Sequence, residues 1–263
     1  MSESFSRLRL ARQERLFHRK SMERIKSLQL TVVGCGRNGS FFSILAAYSG
    51  FFHINLIDPD IVKAHNINAS ILFGYEDVGR QKVEVVCEGI KRVDPSIECF
   101  TFFCRAQDEE AVRILEKSDV IVSCVDNVVT KNFLNAFVSE QMKNGNEVLL
   151  LDLASGAFVR DKKILLLGGQ ASLYFAGGPC LLCQSLDDDE SMNLSNVSFI
   201  IPNAISAVLG MELLFSHLTG HSGTKYNFVL YDCLTHQIVT LSHRSRKDRE
   251  FCGRIRGVKK GKA

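Results

Sequence analysis

Leu30–Thr31–Val32–Val33–Gly34–Cys35–Gly36–Arg37–Asn38–Gly39 is the stretch that decides the fold. Four β-prone residues run into a G-x-G-x-x-G turn, and residues 39–49 continue with a mostly apolar, helix-compatible run. Glycines at this spacing let the chain turn sharply out of a strand and bring its backbone close to a phosphate. The amides at the start of the following helix then face the anion. The next apolar run, residues 53–57, ends at Asp58, where a carboxylate can accept hydrogen bonds from ribose hydroxyls. Strand, glycine turn, helix and strand within about thirty residues make a βαβ unit. The expected ligand is a nucleotide, with Gly34, Gly36 and Gly39 at its phosphates and Asp58 at its sugar. The turn by itself fits NAD and ATP equally, and also fits a glycine turn that only permits close helix–strand packing.

Outward from this unit the alternation continues. Residues 82–92, 109–117 and 130–143 read as helices, and residues 97–103, 119–124 and 148–153 as strands. Several of the strand runs are continuously apolar, as strands covered on both faces should be. The pattern predicts an α/β, Rossmann-like, doubly wound and mostly parallel sheet. Residues 163–167, 227–231 and 237–241 read as C-terminal strands that extend it, and residues 202–217 as an apolar helix. Residues 5–27 read as one charged amphipathic helix, with Phe5, Leu8, Leu16, Met22, Ile25 and Leu28 on its apolar side. Residues 185–198 form a polar, acidic segment that reads as a mobile loop, and the Lys/Gly-rich end reads as a disordered tail.

The bulk properties narrow the setting. Of 263 residues, 46 % are hydrophobic and 23 % charged, an ordinary globular balance. A net charge of +3 is too mild to argue for nucleic acid, and no apolar stretch near the N-terminus suits a signal or a membrane anchor. Nine cysteines, mostly inside apolar runs, fit reduced thiols and a cytoplasmic protein. Only Cys180 and Cys183 have metal-type spacing.

Residues outside the glycine turn choose between nucleotides. Asp58–Pro59–Asp60–Ile61–Val62, then Asn66–Ile67–Asn68, then Val78–Gly79–Arg80–Gln81–Lys82 resembles the ThiF/MoeB/HesA signature D-x-D-x-V … N-L-N … V-G-x-x-K. Asp126–Asn127 followed by Lys131 and Asn135 resembles that superfamily's D-N-x-x-x-R-x-x-x-N. Arg9–Leu10–Ala11–Arg12–Gln13 resembles R-Y-x-R-Q, and Tyr231–Asp232–Cys233–Leu234–Thr235 resembles Y-D-A-x-T. The matches run in the family's order from about residue 9 to residue 253. They look most like the molybdopterin-synthase adenylyltransferases, cousins of ubiquitin-activating enzymes.

The resemblance implies an ATP- and Mg²⁺-dependent adenylyltransferase. Its partner would be a small ubiquitin-like or sulfur-carrier protein activated at its C-terminal glycine; neither nucleic acid nor membrane is expected. It implies a helical arm over residues 1–28, a ThiF-type domain over 29–253 and a basic tail over 254–263. Within the domain, residues 29–153 would bind nucleotide and 154–253 the carrier. Asp126 would hold Mg²⁺. Lys82 would face the phosphates, with Asp60, Asn66 and Asn68 also in the nucleotide site. Arg12 would reach the phosphates of a neighbouring subunit, which implies a homodimer. From the residues alone, Asp126–Asn127 also reads as a helix N-cap, and Lys82 and Arg12 as surface residues.

Two departures stand out. Ala69–Ser70 occupies the place of a family Arg–Gln pair whose arginine contacts phosphate. Arg37 could substitute, a partner could supply the charge, or the protein could be a catalytically degenerate subunit. Second, the resemblance implies a structural Zn²⁺ on two C-x-x-C pairs. Cys180 and Cys183 match the first pair, but Arg249 replaces one cysteine of the second and leaves Cys252, with His243 a nearby fourth donor. A metal-free, decayed knuckle is the alternative. Residues 185–198 contain no cysteine, so no protein thioester is expected on that segment.

Overall fold

The computed structural model describes residues 2–160, 163–184, 199–220 and 226–242. Helices α1 (Ser2–Leu10) and α2 (Arg19–Ser27) precede β1 (Gln29–Val33), α3 (Arg37–Ser49) and β2 (His53–Ile57). Then come α4 (Lys82–Val93), β3 (Glu98–Phe102), α5 (Glu109–Leu115), β4 (Val120–Ser123) and α6 (Val128–Lys143). The chain continues with β5 (Leu149–Arg160), β6 (Lys163–Tyr174), the short α7 (Leu181–Gln184), α8 (Ile200–Thr219), β7 (Phe228–Asp232) and β8 (Gln237–Leu241).

The eight strands form one sheet in the order β3-β2-β1-β4-β5-β6-β7-β8. Pairing is parallel from β3 to β5 and antiparallel from β5 to β8. Side chains alternate between faces along each strand. Leu30, Val32, Leu56, Val122 and Leu151 pack on one face with Phe42, Ala46, Val86, Ile90 and Leu214 from α3, α4 and α8. Val33, Ile57, Ile121 and Leu150 pack on the other with Ala111, Leu134, Val138 and Met142 from α5 and α6. Cover on both sides explains why the central strands are predominantly apolar, with Thr31, Asn55, Ser123 and Asp152 as buried polar exceptions. The edge strands lack it: β3 has no buried residue, and all of β8 is exposed. Helix α8 is long and apolar enough to cross a membrane by length and composition, but it packs along β6, β5 and α3.

The expected α/β, doubly wound, mostly parallel sheet extended by C-terminal strands is present, and those strands pair antiparallel. Two local readings need correction. Residues 5–27 are two helices separated by a turn and a single 3₁₀ turn at Gln13–Arg15. The reason lies in Leu10 and Met22, which come within 3.3 Å and 3.5 Å of where a Cβ on Gly50 would sit. Twelve residues of straight helix would hold them about 18 Å apart, so burying both on one spot requires the break. Phe5, Leu8 and Leu16, expected on the apolar side, are exposed. The second correction is length. Strands β5 and β6 each run for 12 residues and pair as a long hairpin, with a register shift at Phe158/Val159.

The order of the strands positions the site. After β1 the chain moves outward to β2 and β3, then returns to place β4 on the other side of β1. Connections from β1 and β4 therefore leave toward opposite faces and open a crevice beyond the carboxyl ends of those strands. Residues 185–198, the expected loop, and the tail after residue 253 lie outside the described residues.

A candidate nucleotide cleft at the switch point

A cleft of about 1120 Å³ occupies that crevice. One wall is the glycine turn after β1, with Gly34, Gly36, Arg37 and Asn38; facing it are Cys124, Val125, Asp126 and Asn127 after β4. Asp58, Asp60, Lys63, Asn66 and Lys82 form a third side, and Leu153 to Gly156 of β5 line the end.

The three glycines have different reasons to be glycine. Gly34 has φ +91°, a left-handed conformation that side chains disfavour, and a Cβ there would sit 2.9 Å from the Cys124 carbonyl oxygen. A Cβ on Gly39 would lie 1.8 Å from the Gly34 carbonyl oxygen, so its bareness lets α3 sit on the turn. Gly39 does not line the cleft. At Gly36 no protein atom lies within 4 Å of where a Cβ would be, and the residue opens into the cleft. Packing does not demand glycine there; the bare backbone leaves room for a phosphate at the helix N-terminus.

Asp58 is buried, with both oxygens engaged. It accepts from the Cys35 amide at 2.6 Å and from the Asp60 amide at 2.8 Å. Burial pushes its carboxyl above the usual range, while Lys82 and the two amides pull it back. It therefore holds the glycine turn in shape while retaining lone pairs toward the cleft. Lys82 is buried at the first position of α4 and donates to Asp60 at 2.7 Å. It is no free surface lysine. Asn66 accepts from the Lys63 amide at 2.9 Å and lines the cleft. Asn68, on the same 3₁₀ segment, is exposed and outside the lining.

Asp126 and Asn127 differ in what they contact. Asn127 caps α6, accepting from the Thr130 amide at 2.8 Å. Asp126 makes no cap. Its carboxylate is 83 % exposed inside the cleft mouth and approaches only the Arg37 guanidinium, at 3.5 Å, among the described ion pairs. A solvated carboxylate beside a phosphate-sized opening is a donor that Mg²⁺ accepts.

A profile of the ThiF family matches residues 10–253. The chain belongs to the ThiF family. Molybdopterin-synthase adenylyltransferase of Escherichia coli (strain K12) is 26 % identical over 239 residues, 88 % of this chain and 89 % of the relative. The adenylyltransferase and sulfurtransferase MOCS3 of Danio rerio is 25 % identical over 196 residues, 72 % of this chain but 40 % of the relative. A crystal structure of E. coli MccB with ATP superimposes with a TM-score of 0.71 at 18 % identity, covering 89 % of this chain and 69 % of MccB; that likeness concerns the fold. By family and class this ThiF protein is an adenylyltransferase.

Other family positions have found structural tasks. Lys131 donates to Asp152 at 2.9 Å, and Asp152 also accepts from the Ser123 hydroxyl at 2.7 Å. Asn135 is buried and accepts from the Leu181 amide at 3.0 Å, tying α6 to the Cys180–Cys183 turn. Arg12 is exposed between α1 and the 3₁₀ turn, beside Gln13, which donates to the Ser49 carbonyl at the C-terminal end of α3. The cleft lies at the N-terminal end of that 13-residue helix, about 20 Å away, so Arg12 is not brought to its own chain's cleft.

Cys180 and Cys183 are buried, with their Sγ atoms 3.8 Å apart. Two thiolates at about 2.3 Å on a tetrahedral zinc are spaced roughly 3.8 Å, so the pair fits one edge of such a site. Among the described residues no group of three His, Cys, Asp or Glu side chains is assembled for a metal. Cys252, His243 and Arg249 lie outside the described residues. Cys124 lines the cleft, but burial, reinforced by Asp152, pushes its thiol far above the usual range. It stays protonated at neutral pH and is no nucleophile.

The floor of the cleft went unread in the sequence. Ser155 reaches both Asn38 and Asn203 side chains at 2.7 Å, and Asn203 donates to the Ala69 carbonyl at 3.0 Å. This network joins β5, α3, α8 and the 3₁₀ segment across more than a hundred residues of sequence. Ser155 and Asn203, which tie it together, belong to no local motif. The only available signal was buried asparagine within apolar helices, which needs a partner.

Proposed function

We propose that this chain uses ATP and Mg²⁺ to adenylate the C-terminal glycine carboxylate of a small ubiquitin-like or sulfur-carrier protein. One observation carries the reading: an exposed carboxylate, Asp126, faces a glycine turn whose Gly36 leaves open space beside the N-terminus of α3. In the reaction a carboxylate oxygen of the carrier bonds to the α-phosphorus of ATP, and the bond from that phosphorus to the bridging oxygen breaks. Pyrophosphate leaves with the electron pair. Neither anion needs a protein nucleophile; both need positioning and charge compensation.

The residues divide that work. The turn from Gly34 to Gly36 and the start of α3 receive phosphate through backbone amides. Asp58 accepts from the ribose, and Asp60, Asn66 and Lys82 complete that side. Asp126 would hold Mg²⁺, which screens the triphosphate when bound. Arg12 acts on the cleft of a second subunit in a homodimer, consistent with its position away from its own. Residues 29–153 bind the nucleotide and 154–253 the carrier, in the cytoplasm. Cys180 and Cys183 contribute half of a structural zinc site.

A second reading has its own support. Ala69 is buried, with its carbonyl held by Asn203, and places no charge at the cleft. A catalytically degenerate subunit that binds nucleotide or a partner protein without turnover would look like this. The same chemistry would also serve a second kind of substrate, a short peptide, in place of the carrier protein. ATP–pyrophosphate exchange separates these readings. Exchange is expected only when a carrier ending in Gly-Gly, or the peptide, is added, and Asp126→Ala should abolish it with the fold intact. Nucleotide binding with no exchange for any acceptor would favour the degenerate subunit. Exchange unaffected by Asp126→Ala would remove that residue from the mechanism.

A further inference from the structure

We propose that Arg37 is the mobile phosphate-binding cation of this cleft, held by Asp126 until that carboxylate takes a metal ion and then released onto the nucleotide. The proposal rests on the ATP-binding reading above and goes beyond it, assigning a role to a residue inside the glycine turn.

The cations around the cleft are not equivalent. Lys82 is tied to Asp60 at 2.7 Å and Lys131 to Asp152 at 2.9 Å, both at hydrogen-bond distance. Lys63 and Arg105 are exposed at the rim. Arg37 differs from all four. It is the first residue of α3, directly after Gly36, and so projects from the place where backbone amides converge. Its side chain is 31 % exposed and the guanidinium meets Asp126 at 3.5 Å, too long for a close charge-assisted hydrogen bond. Asp126 is 83 % exposed, so solvent screens the pair and its attraction is weak. The contact can hold a conformation and can be broken.

One carboxylate cannot serve two cations equally. Asp126 holding a divalent ion would be neutralised and would no longer attract the guanidinium. A planar guanidinium offers paired N–H donors that match phosphate oxygens, and the triphosphate supplies those oxygens beside Gly36. At the end of the 3₁₀ segment, Ala69 is buried and Ser70 is spent on Ser40 at 2.9 Å, so neither residue places a charge in the cleft. Arg37 therefore brings from the turn the positive charge that the 3₁₀ segment lacks.

The test is equilibrium binding, followed by calorimetry with α,β-methylene-ATP, with adenosine as control. Measurements run in Mg²⁺ and in EDTA on the full chain and on Arg37→Ala, Arg37→Lys, Asp126→Asn and the double variant Arg37→Ala/Asp126→Asn. With Mg²⁺, Arg37→Ala should weaken the triphosphate roughly 10–100-fold and leave adenosine unchanged. Arg37→Lys should recover part of the loss. In EDTA, Asp126→Asn should bind the triphosphate several-fold more tightly than the unaltered chain, and the double variant should lose that gain. Thermal melts establish that each variant is folded. Arg37→Ala binding the triphosphate as the unaltered chain does would overturn the proposal and leave the ATP reading standing. Failure of Asp126→Asn to tighten binding in EDTA would overturn the restraint by Asp126. An unaltered chain that binds no α,β-methylene-ATP overturns both readings.

Discussion

Replacing Gly39 by alanine should cost this protein both stability and catalysis, through a single contact. The new Cβ would start 1.8 Å from the Gly34 carbonyl oxygen and 2.9 Å from its carbon. Bringing the shorter contact to the 3.0 Å that real Cβ atoms respect requires a shift of at least 3.0 − 1.8 = 1.2 Å. The turn cannot supply it cheaply. Gly34 donates to the Ile57 carbonyl at 2.8 Å, and Asp58 grips the Cys35 amide at 2.6 Å. Helix α3 must move instead, against α8 and α4. Overpacking of well-filled cores costs about 1–3 kcal/mol, and a clash with backbone belongs at the upper end. For a chain of this size about 3 kcal/mol lowers the melting temperature by roughly 6–12 °C. The shift also carries the start of α3 away from the phosphates, and a misplacement near 1 Å costs on the order of 100-fold in rate. Thermal denaturation and ATP–pyrophosphate exchange read the two effects. Gly36→Ala, which meets no protein atom within 4 Å, should reduce exchange with a far smaller change in melting. A Gly39→Ala protein that melts within 2 °C of its parent and exchanges normally would refute the packing argument outright.

Three other expectations follow from particular contacts. Burial alone would raise Asp94, but Ser6, Ser96 and Arg9 outweigh it and hold its carboxyl below the usual range. A depressed carboxylate stabilises the fold at pH above its unfolded value of about 3.9, and that contribution disappears as pH falls through the folded value. Asp94→Asn should therefore cost about 2–3 kcal/mol in urea denaturation at pH 7 and progressively less on acidification; a cost that grows toward acid would contradict this sign. For zinc, purified protein should contain about one equivalent by elemental analysis, and Cys180→Ser/Cys183→Ser should lose it. Metal-free protein of unchanged stability would support the decayed knuckle. Mixing Arg12→Ala with Asp126→Ala protein should restore part of the exchange activity, because one of the two clefts in each mixed dimer then has both residues intact. No rescue after demonstrated subunit exchange would count against action between subunits.

What the sequence made legible was what one element can encode. The apolar runs of β1, β4 and β5 and the glycine turn are local patterns, and each fixes a strand or a helix start on its own. Asp58, Lys82 and Asp126 were readable because each stands at the end or beginning of such an element. The break in the N-terminal helix was not, because it follows from Leu10 and Met22 meeting at Gly50. The division between Asn127 as cap and Asp126 as free carboxylate depends on side-chain direction, which neighbouring residue types leave open. Nor could the 12-residue extent of β5 be read: its leucine-rich run stops at Leu153, while Ala154, Ser155 and Gly156 line the cleft and continue the ladder with β6.

That long strand bears on how the molecule can move. Strand β5 pairs with β4 through Leu149 to Asp152 and with β6 through Leu150 to Arg160, so the same backbone belongs to both halves of the sheet. A clam-shell closure of one half on the other would have to tear this shared ladder and the buried side chains stacked on it. Water must instead be shut out of the reaction by rearrangement at the rim, or by the incoming acceptor itself acting as the stopper.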